Sequence, residues 1–155
     1  MTQFSNFAIR VLMYAALHDE APSSVPDIAR AYGASYDHMK KAAAELCRLG
    51  YLNSVRGRIG GVTLARRPED IRIGEVIRAT EGYVTLVECF DPATNTCPLE
   101  PVCVLSRALH EAVDAFFAVL DRYTLADLLE PAPQLASLLA LREDGAPRPE
   151  HRQEA

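Results

Sequence analysis

The fold is decided between residues 24 and 65, SVPDIARAYGASYDHMKKAAAELCRLGYLNSVRGRIGGVTLA. Either Ser24 or Ser23 can cap a short helix ending near residue 31, and Gly33 in the next turn is available for a left-handed C-cap. Ser35 can then cap a second helix over residues 36–49. Two helices joined by a glycine turn predict a helix-turn-helix, whose second helix presents its N-terminal residues to the major groove.

A hairpin with a basic tip follows the second helix. Residues 51–55 and 62–65 read as short strands, and the segment between them is RGRIGG. A hairpin directly after a helix-turn-helix is a wing, and an arginine at its tip can enter a minor groove. The alternatives are a plain glycine turn and an ordinary helical hairpin, but the combination favours DNA contact. The expected DNA-binding residues are Ser35, Tyr36, Asp37, His38, Lys40, Lys41, Arg56, Arg58, Gly60 and Gly61.

Further helices are predicted on both sides of this region. Apolar residues recur at helical spacing over residues 4–17, with Ser5 as the predicted N-cap, and over residues 73–80. A third stripe comprises positions 105, 108, 109, 112, 113, 116, 117 and 120. Such a wide stripe is typical of a helix that packs against a neighbour, which is either a second copy in a symmetric dimer or the chain's own domain. A short last helix is predicted over residues 124–129.

Charge divides the chain into two halves. The 155 residues are 49% hydrophobic and 24% charged, as in ordinary soluble globular proteins. Residues 1–67 carry a balance of +4 and residues 68–155 a balance of −9, which indicates a polyanion-binding surface at one end. No apolar run approaches the roughly 18 residues of a membrane span, and no signal peptide is apparent. We therefore expect a cytoplasmic protein without membrane contact.

Three of the four cysteines lie in residues 88–109, ECFDPATNTCPLEPVCVLSRAL. Cys89, Cys97 and Cys103 share a polar, proline-broken loop, and thiolates at this spacing suit a soft metal or an iron–sulfur cluster. The alternatives are three buried core residues, or a zinc or thiol protein, although structural zinc usually takes four protein ligands. Cys47 lies on the apolar side of the second predicted helix and is assigned to packing.

The sequence does not predict an enzyme. It has no CxxC redox pair, no arrangement of a nucleophile with a base and no phosphate-binding glycine loop. The histidines at positions 18, 38, 110 and 151 show no metal-ligand spacing. His38 is placed to contact DNA, and His110 lies near the cysteine loop.

Several motifs together resemble the Rrf2 family of winged-helix bacterial regulators, over residues 1 to about 130. The motifs are SNFAIRVLMY from residue 5, SVRGRIGGVTLA from residue 54, IRIGEVIR from residue 71, the three loop cysteines, and DRYTLADLL from residue 121. The cysteine loop is most similar to that of family members that sense nitric oxide, then to iron-responsive members, and more distantly to regulators of cluster assembly.

The resemblance implies a mainly α fold with a small β-hairpin wing. Residues 1–82 would form a winged helix-turn-helix DNA-binding domain, and residues 83–104 a cluster-binding loop. Residues 105–135 would contain a long C-terminal dimerisation helix and a short last helix. The polar residues 142–155 are expected to form a disordered tail.

The resemblance also implies a homodimeric repressor of transcription with one iron–sulfur cluster in each protomer, [4Fe–4S] being favoured over [2Fe–2S]. Cys89, Cys97 and Cys103 would hold this cluster. The cluster-loaded form would bind double-stranded operator DNA, and nitric oxide would release it by nitrosylating the iron. Iron supply and redox or cluster status are the alternative signals.

The fourth ligand differs from the family pattern. Nitric-oxide-sensing members can use an aspartate on the first helix, supplied by the other protomer, and the matching residue here is Asn6. A neutral carboxamide is a poorer iron ligand than a carboxylate. Regulators of cluster assembly use a histidine three residues after the last cysteine, where this chain has Ser106.

Overall fold

Helices dominate the chain, and one antiparallel hairpin interrupts them. The structure, a computed structural model, describes residues 1–57, 59–82 and 86–143. The helices are α1 (Gln3–Leu17), α2 (Val25–Tyr32), α3 (Tyr36–Arg48), α4 (Ile73–Glu81), α5 (Val104–Leu120), α6 (Leu125–Leu128) and α7 (Ala132–Glu143). The strands are β1 (Leu52–Val55) and β2 (Gly61–Leu64). Single 3₁₀ turns lie at Pro68–Asp70, Glu88–Phe90 and Glu100–Val102.

The predicted helix-turn-helix is confirmed in α2 and α3. The Ser24 hydroxyl accepts a hydrogen bond from the Asp27 N–H at 3.2 Å and so caps α2. Gly33 ends α2 with φ of 58°, the left-handed conformation that a residue without Cβ adopts at low cost. Ser35 occupies the N-cap position of α3 but makes no side-chain capping bond.

The wing is attached to the rest of the domain through β2, close to the hairpin tip. β1 and β2 pair in the register Leu52↔Leu64 to Val55↔Gly61. Ser23, in the loop before α2, exchanges two 2.9 Å backbone hydrogen bonds with Val62. A Cβ at Gly61 would clash with the Ser23 carbonyl, so this close approach requires a glycine.

One hydrophobic core unites the helices with the wing. Its fully buried side chains come from α1, α2, α3, α4 and α6 and from the segment before α4. The largest of them are Leu12, Ile28, Met39, Leu46, Ile71 and Leu125. Because α1 packs against both α3 and α4, it connects the recognition helix to the C-terminal part of the chain.

The beginning of α1 differs from the prediction. Thr2 is the N-cap, and its hydroxyl accepts from the Ser5 N–H at 3.4 Å. The prediction of Ser5 as the cap is therefore wrong. Ser5 is fully buried, and its hydroxyl accepts a 2.8 Å hydrogen bond from Thr80 of α4. The tertiary contact between the two helices outweighs the local capping preference.

The ends of α4 and α5 are joined by charged groups. Arg78 of α4 donates to both carboxylate oxygens of Asp121 at 2.7 and 2.6 Å, and its guanidinium lies 4.3 Å from the Phe117 ring centre. Arg72 also donates to the Asp121 carbonyl at 2.9 Å. These contacts link α5 to the winged-helix domain.

The C-terminal part contains a helix that the sequence did not predict. A capping box between Thr124 and Asp127 starts α6, in agreement with the predicted short helix. α7 then packs against α2 and extends to Glu143, so residues 142–143 are helical where the tail was expected to begin. The rest of the predicted tail lies outside the described residues. No helix in the described ranges is both long and apolar enough to span a membrane.

Candidate functional site

The N-terminal turns of α3 present the predicted DNA-contacting residues on the surface. The buried face of α3 is formed by Met39, Ala42, Ala43 and Leu46. Six predicted residues are exposed on the opposite side and at the helix start: Ser35, Tyr36, Asp37, His38, Lys40 and Lys41. Two cations at the beginning of a recognition helix can contact DNA phosphates beside the base edges.

His38 also contacts α1. Its ring stacks on Phe7 of α1, with ring centres 5.3 Å apart and an interplanar angle of 14°. One face of the imidazole is therefore covered, and the ring edge is the part left to contact DNA. Lys40 lies above the Tyr36 ring at 5.9 Å, which orders the first turn of the helix.

The wing tip combines a cation with an apolar side chain. Arg56 is exposed, and Ile59 is 76% exposed. Ile59 was not among the predicted DNA contacts, although an exposed aliphatic side chain at a wing tip can enter a minor groove. A Cβ at Gly60 would lie 2.9 Å from the Val55 carbonyl, so Gly60 allows the tight turn of the hairpin, whereas Gly61 allows the contact with Ser23. Arg58, a predicted DNA contact, lies outside the described residues.

Two of the three loop cysteines meet at one residue of α5. The Cys89 thiol donates to the Ser106 hydroxyl at 3.3 Å, and the Ser106 N–H donates to the Cys103 sulfur at 3.4 Å. Cys103 is the N-cap residue of α5, so its sulfur lies at the positive end of the helix dipole. All three loop cysteines are half-buried free thiols.

The Cys97 side chain is not joined to this pair by a hydrogen bond in the described ranges. Its N–H donates to the Asn95 side-chain oxygen at 3.0 Å, which shapes the turn before Pro98. Within the described residues, no three Cys, His, Asp or Glu side chains are grouped closely enough to hold a single metal ion. The structure therefore brings together two of the three predicted ligands.

A groove of about 660 Å³ lies beside Cys89. Its lining includes Phe90, Pro92, Glu100 and His110. The donor chemistry suits an iron–sulfur cluster, because three free thiols lie on one loop and each iron of a cluster binds its own thiolate. Ligands of a cluster consequently lie farther apart than ligands of one ion. Of these three thiols, that of Cys89 lies in the described lining of the groove.

Asn6 and Cys47 lie apart from this groove. Asn6 is half-buried in the first turn of α1 and does not belong to the described residues lining the groove. Cys47 packs against the hydrophobic core from α3, and burial raises the pKa of its thiol. The assignment of Cys47 to packing is confirmed.

His110 is the residue near the groove that sequence reasoning noticed without giving it a role. Its Nδ1 lies 2.8 Å from the Ser106 carbonyl, and its ring stacks on Phe90 with ring centres 3.9 Å apart. The available signal was spacing: Cys103, Ser106 and His110 are at positions i, i+3 and i+7 and share one face of α5.

Comparisons with known proteins identify the family and agree with the winged-helix fold. The model of the Rrf2 family, described as an iron-dependent transcriptional regulator, matches residues 1–131. The HTH-type transcriptional regulator NsrR of Geobacillus kaustophilus is 50% identical over 143 residues, which are 92% of this chain and 97% of that protein. The solved structure of T. potens IscR has a TM-score of 0.68 at 29% identity, covering 85% of this chain and 87% of that one. CymR, the global cysteine regulator of B. subtilis, has a TM-score of 0.66 at 28% identity, with 83% and 94% covered.

Proposed function

The chain belongs to the Rrf2 family of DNA-binding transcriptional regulators, which are not enzymes, and we propose that it is a repressor controlled by an iron–sulfur cluster that reacts with nitric oxide. The observation that carries the proposal is the meeting of Cys89 and Cys103 at Ser106, at the beginning of α5. A sensor loop is thereby connected to a helix whose other end contacts the DNA-binding domain.

Operator DNA is bound by the exposed face of α3 and by the wing. Lys40 and Lys41 contact phosphates, and the other exposed residues at the helix start contact base edges in the major groove. Arg56 reaches the adjacent minor groove from the wing. The balance of +4 over residues 1–67 supports this placement of the polyanion-binding surface.

Cys89, Cys97 and Cys103 hold the cluster, with [4Fe–4S] favoured over [2Fe–2S]. When bound, the cluster supplies iron that reacts with nitric oxide. The protein converts a change at the cluster into a change in the structure of α5. Because Cys103 caps α5, a displacement of its sulfur removes the acceptor from the Ser106 N–H and disturbs the first helical turn.

A change in α5 can reach the recognition helix through a continuous series of contacts. Asp121, directly after α5, is hydrogen-bonded to Arg78 of α4, and Thr80 of α4 is hydrogen-bonded to Ser5 of α1. Phe7 of α1 then stacks on His38 of α3. We infer that the signal follows this path of packed elements.

Two protomers are needed to present two recognition helices. α5 exposes apolar side chains that a second copy would bury: Val104, Leu105, Phe116 and Val119. Since DNA half-sites must match the separation of the two α3 helices, a small change across this interface lowers operator affinity.

An iron-responsive regulator is the second candidate. The observation that favours it is Asn6, because a carboxamide stands where nitric-oxide-sensing members can have a carboxylate ligand. A cluster with a weaker fourth ligand is lost more readily when iron is scarce.

The test is an anaerobic titration of the cluster-loaded protein with nitric oxide. The operator is first selected from random DNA, and the visible spectrum and operator binding are followed together. We expect both to be lost at a few equivalents of nitric oxide per cluster. Cys97→Ser should abolish cluster uptake, whereas Cys47→Ala should retain the cluster and the response.

Other outcomes separate the alternatives. Operator binding that survives nitric oxide but falls on iron chelation would replace the proposal with iron sensing. Equal operator affinity of the cluster-free and cluster-loaded forms would refute control by the cluster. A colourless protein that contains zinc would identify the zinc class.

A further inference from the structure

We propose that His110 is the fourth protein ligand of the cluster, in the role that Asn6 is poorly suited to fill. This inference rests on the proposed function and adds a ligand to the same site. His110 is a solvent-exposed residue of α5, and together with Cys89 it lines the groove.

Ser106 makes a separate hydrogen bond with His110 and with each of two cysteines. Its hydroxyl accepts from the Cys89 thiol, its N–H donates to the Cys103 sulfur, and its carbonyl accepts from His110. Cys103 and His110 lie one turn before and one turn after this residue, on the same face of α5. The backbone of α5 therefore sets the spacing of a thiol and an imidazole.

The hydrogen bond of His110 determines which ring nitrogen can bind a metal. A carbonyl oxygen only accepts, so Nδ1, at 2.8 Å from the Ser106 carbonyl, carries the proton. Nε2 then has the lone pair, and a backbone carbonyl on the other nitrogen is the usual support for a metal-binding histidine.

A stacking contact orients the ring. The imidazole lies 3.9 Å from the Phe90 ring centre at an interplanar angle of 29°. Phe90 is 8% exposed and directly follows Cys89 in the chain. The same two residues, Phe90 and His110, line the groove together with Cys89. The ring is thus held beside a thiol by contacts on two sides.

His18 makes the same kinds of contact as His110 at a place without a loop cysteine. Its Nδ1 lies 2.9 Å from the Tyr14 carbonyl, and its ring stacks on Tyr14 at 4.0 Å. Both histidines therefore make the same pair of contacts, but only His110 makes them beside a loop cysteine. His18 is consequently a matched control for the effect of removing such a histidine.

Cluster chemistry is consistent with this set of donors. Imidazole nitrogen replaces thiolate on iron in some iron–sulfur proteins, whereas a carboxamide is a weaker donor.

The experiment compares wild type, His110→Gln, His110→Cys and His18→Gln as full-length proteins labelled with ¹⁵N-histidine. Each is reconstituted with iron and sulfide without oxygen, analysed for both elements, reduced with dithionite and examined by pulsed EPR. We expect a histidine nitrogen coupling in wild type and in His18→Gln that is absent from both His110 variants. His110→Cys should keep its cluster, and His110→Gln should lose it in air about tenfold faster than wild type.

Each outcome decides between the two proposals. Wild-type protein that takes up a cluster but shows no coupling from His110, or unchanged coupling in the His110 variants, would overturn the ligand assignment and leave the proposed function standing. Wild-type protein that takes up no iron and sulfide would overturn both. Loss of the coupling in His18→Gln as well would show that the signal does not report on His110.

Discussion

The winged-helix domain and the region formed by the cysteine loop and the start of α5 differ in how far their apolar side chains are buried. Leu12, Ile28, Met39 and Leu46 are fully buried within the domain. Around the cysteines and at the start of α5, four apolar residues are exposed, at 63%, 80%, 66% and 63% in chain order: Leu99, Val102, Val104 and Leu105. The first region thus completes its core within one chain, whereas the second leaves thiols and apolar surface available to the proposed cluster and the proposed second protomer.

The largest expected effect concerns stability. Met39→Ala should lower the free energy of unfolding by about 2–5 kcal/mol, because it leaves a cavity in the core between α3 and its neighbours. Leu99→Ala should change it by less than roughly 0.5 kcal/mol, because the side chain is already in solvent. Urea denaturation of the cluster-free protein measures both. Equal losses would mean that the loop has a core of its own.

An intermediate effect is expected on assembly. Leu105→Glu should weaken dimerisation by roughly tenfold or more, because a carboxylate would lose its hydration in the apolar interface. Sedimentation measures the dimer dissociation constant, and Arg107→Gln, at a neighbouring exposed position, is the control. If Leu105→Glu left dimerisation unchanged, α5 would not be the interface.

The smallest effect lies at the junction of the two regions. Hydrogen bonds from Arg78 hold the pKa of Asp121 below its ordinary value. Since the folded pKa is lower than the unfolded one, the pair stabilises the protein above the unfolded pKa, and this contribution is lost as pH falls through the folded pKa. Asp121→Asn should therefore cost about 1 kcal/mol or less at pH 7, because the pair is partly exposed to solvent.

The measurement for Asp121 is a series of urea denaturation midpoints from pH 7 toward about pH 3. The wild-type and Asp121→Asn midpoints should converge as the wild-type carboxyl is protonated. Arg67→Gln is a control, because Arg67 pairs with Asp70 only three residues away and both side chains are well exposed, so its removal should change the midpoint little. A difference that stayed constant with pH would assign the effect to packing instead.

Local sequence signals determined the helix-turn-helix, the wing and most helix ends. Ser24 and Gly33 cap the two ends of α2 through contacts within a single turn, and β1 pairs with the next strand in the sequence. Both features could therefore be predicted from residues close in sequence. The stripe on α5 likewise predicted a helix over residues 105–120, and the structure extends it by one residue to Val104. These features depend on residues close in sequence, where the physical contacts can be read from spacing.

Contacts between distant residues were decided only by the tertiary structure. Ser5 looked like a cap but is buried against Thr80, and Thr2 caps the helix instead. α7 lacks a clear apolar face, so its helix became evident only from packing against α2. Three cysteines in one loop indicated a metal site from sequence alone. The meeting of Cys89 with α5 required the folded chain, because 17 residues separate that thiol from Ser106.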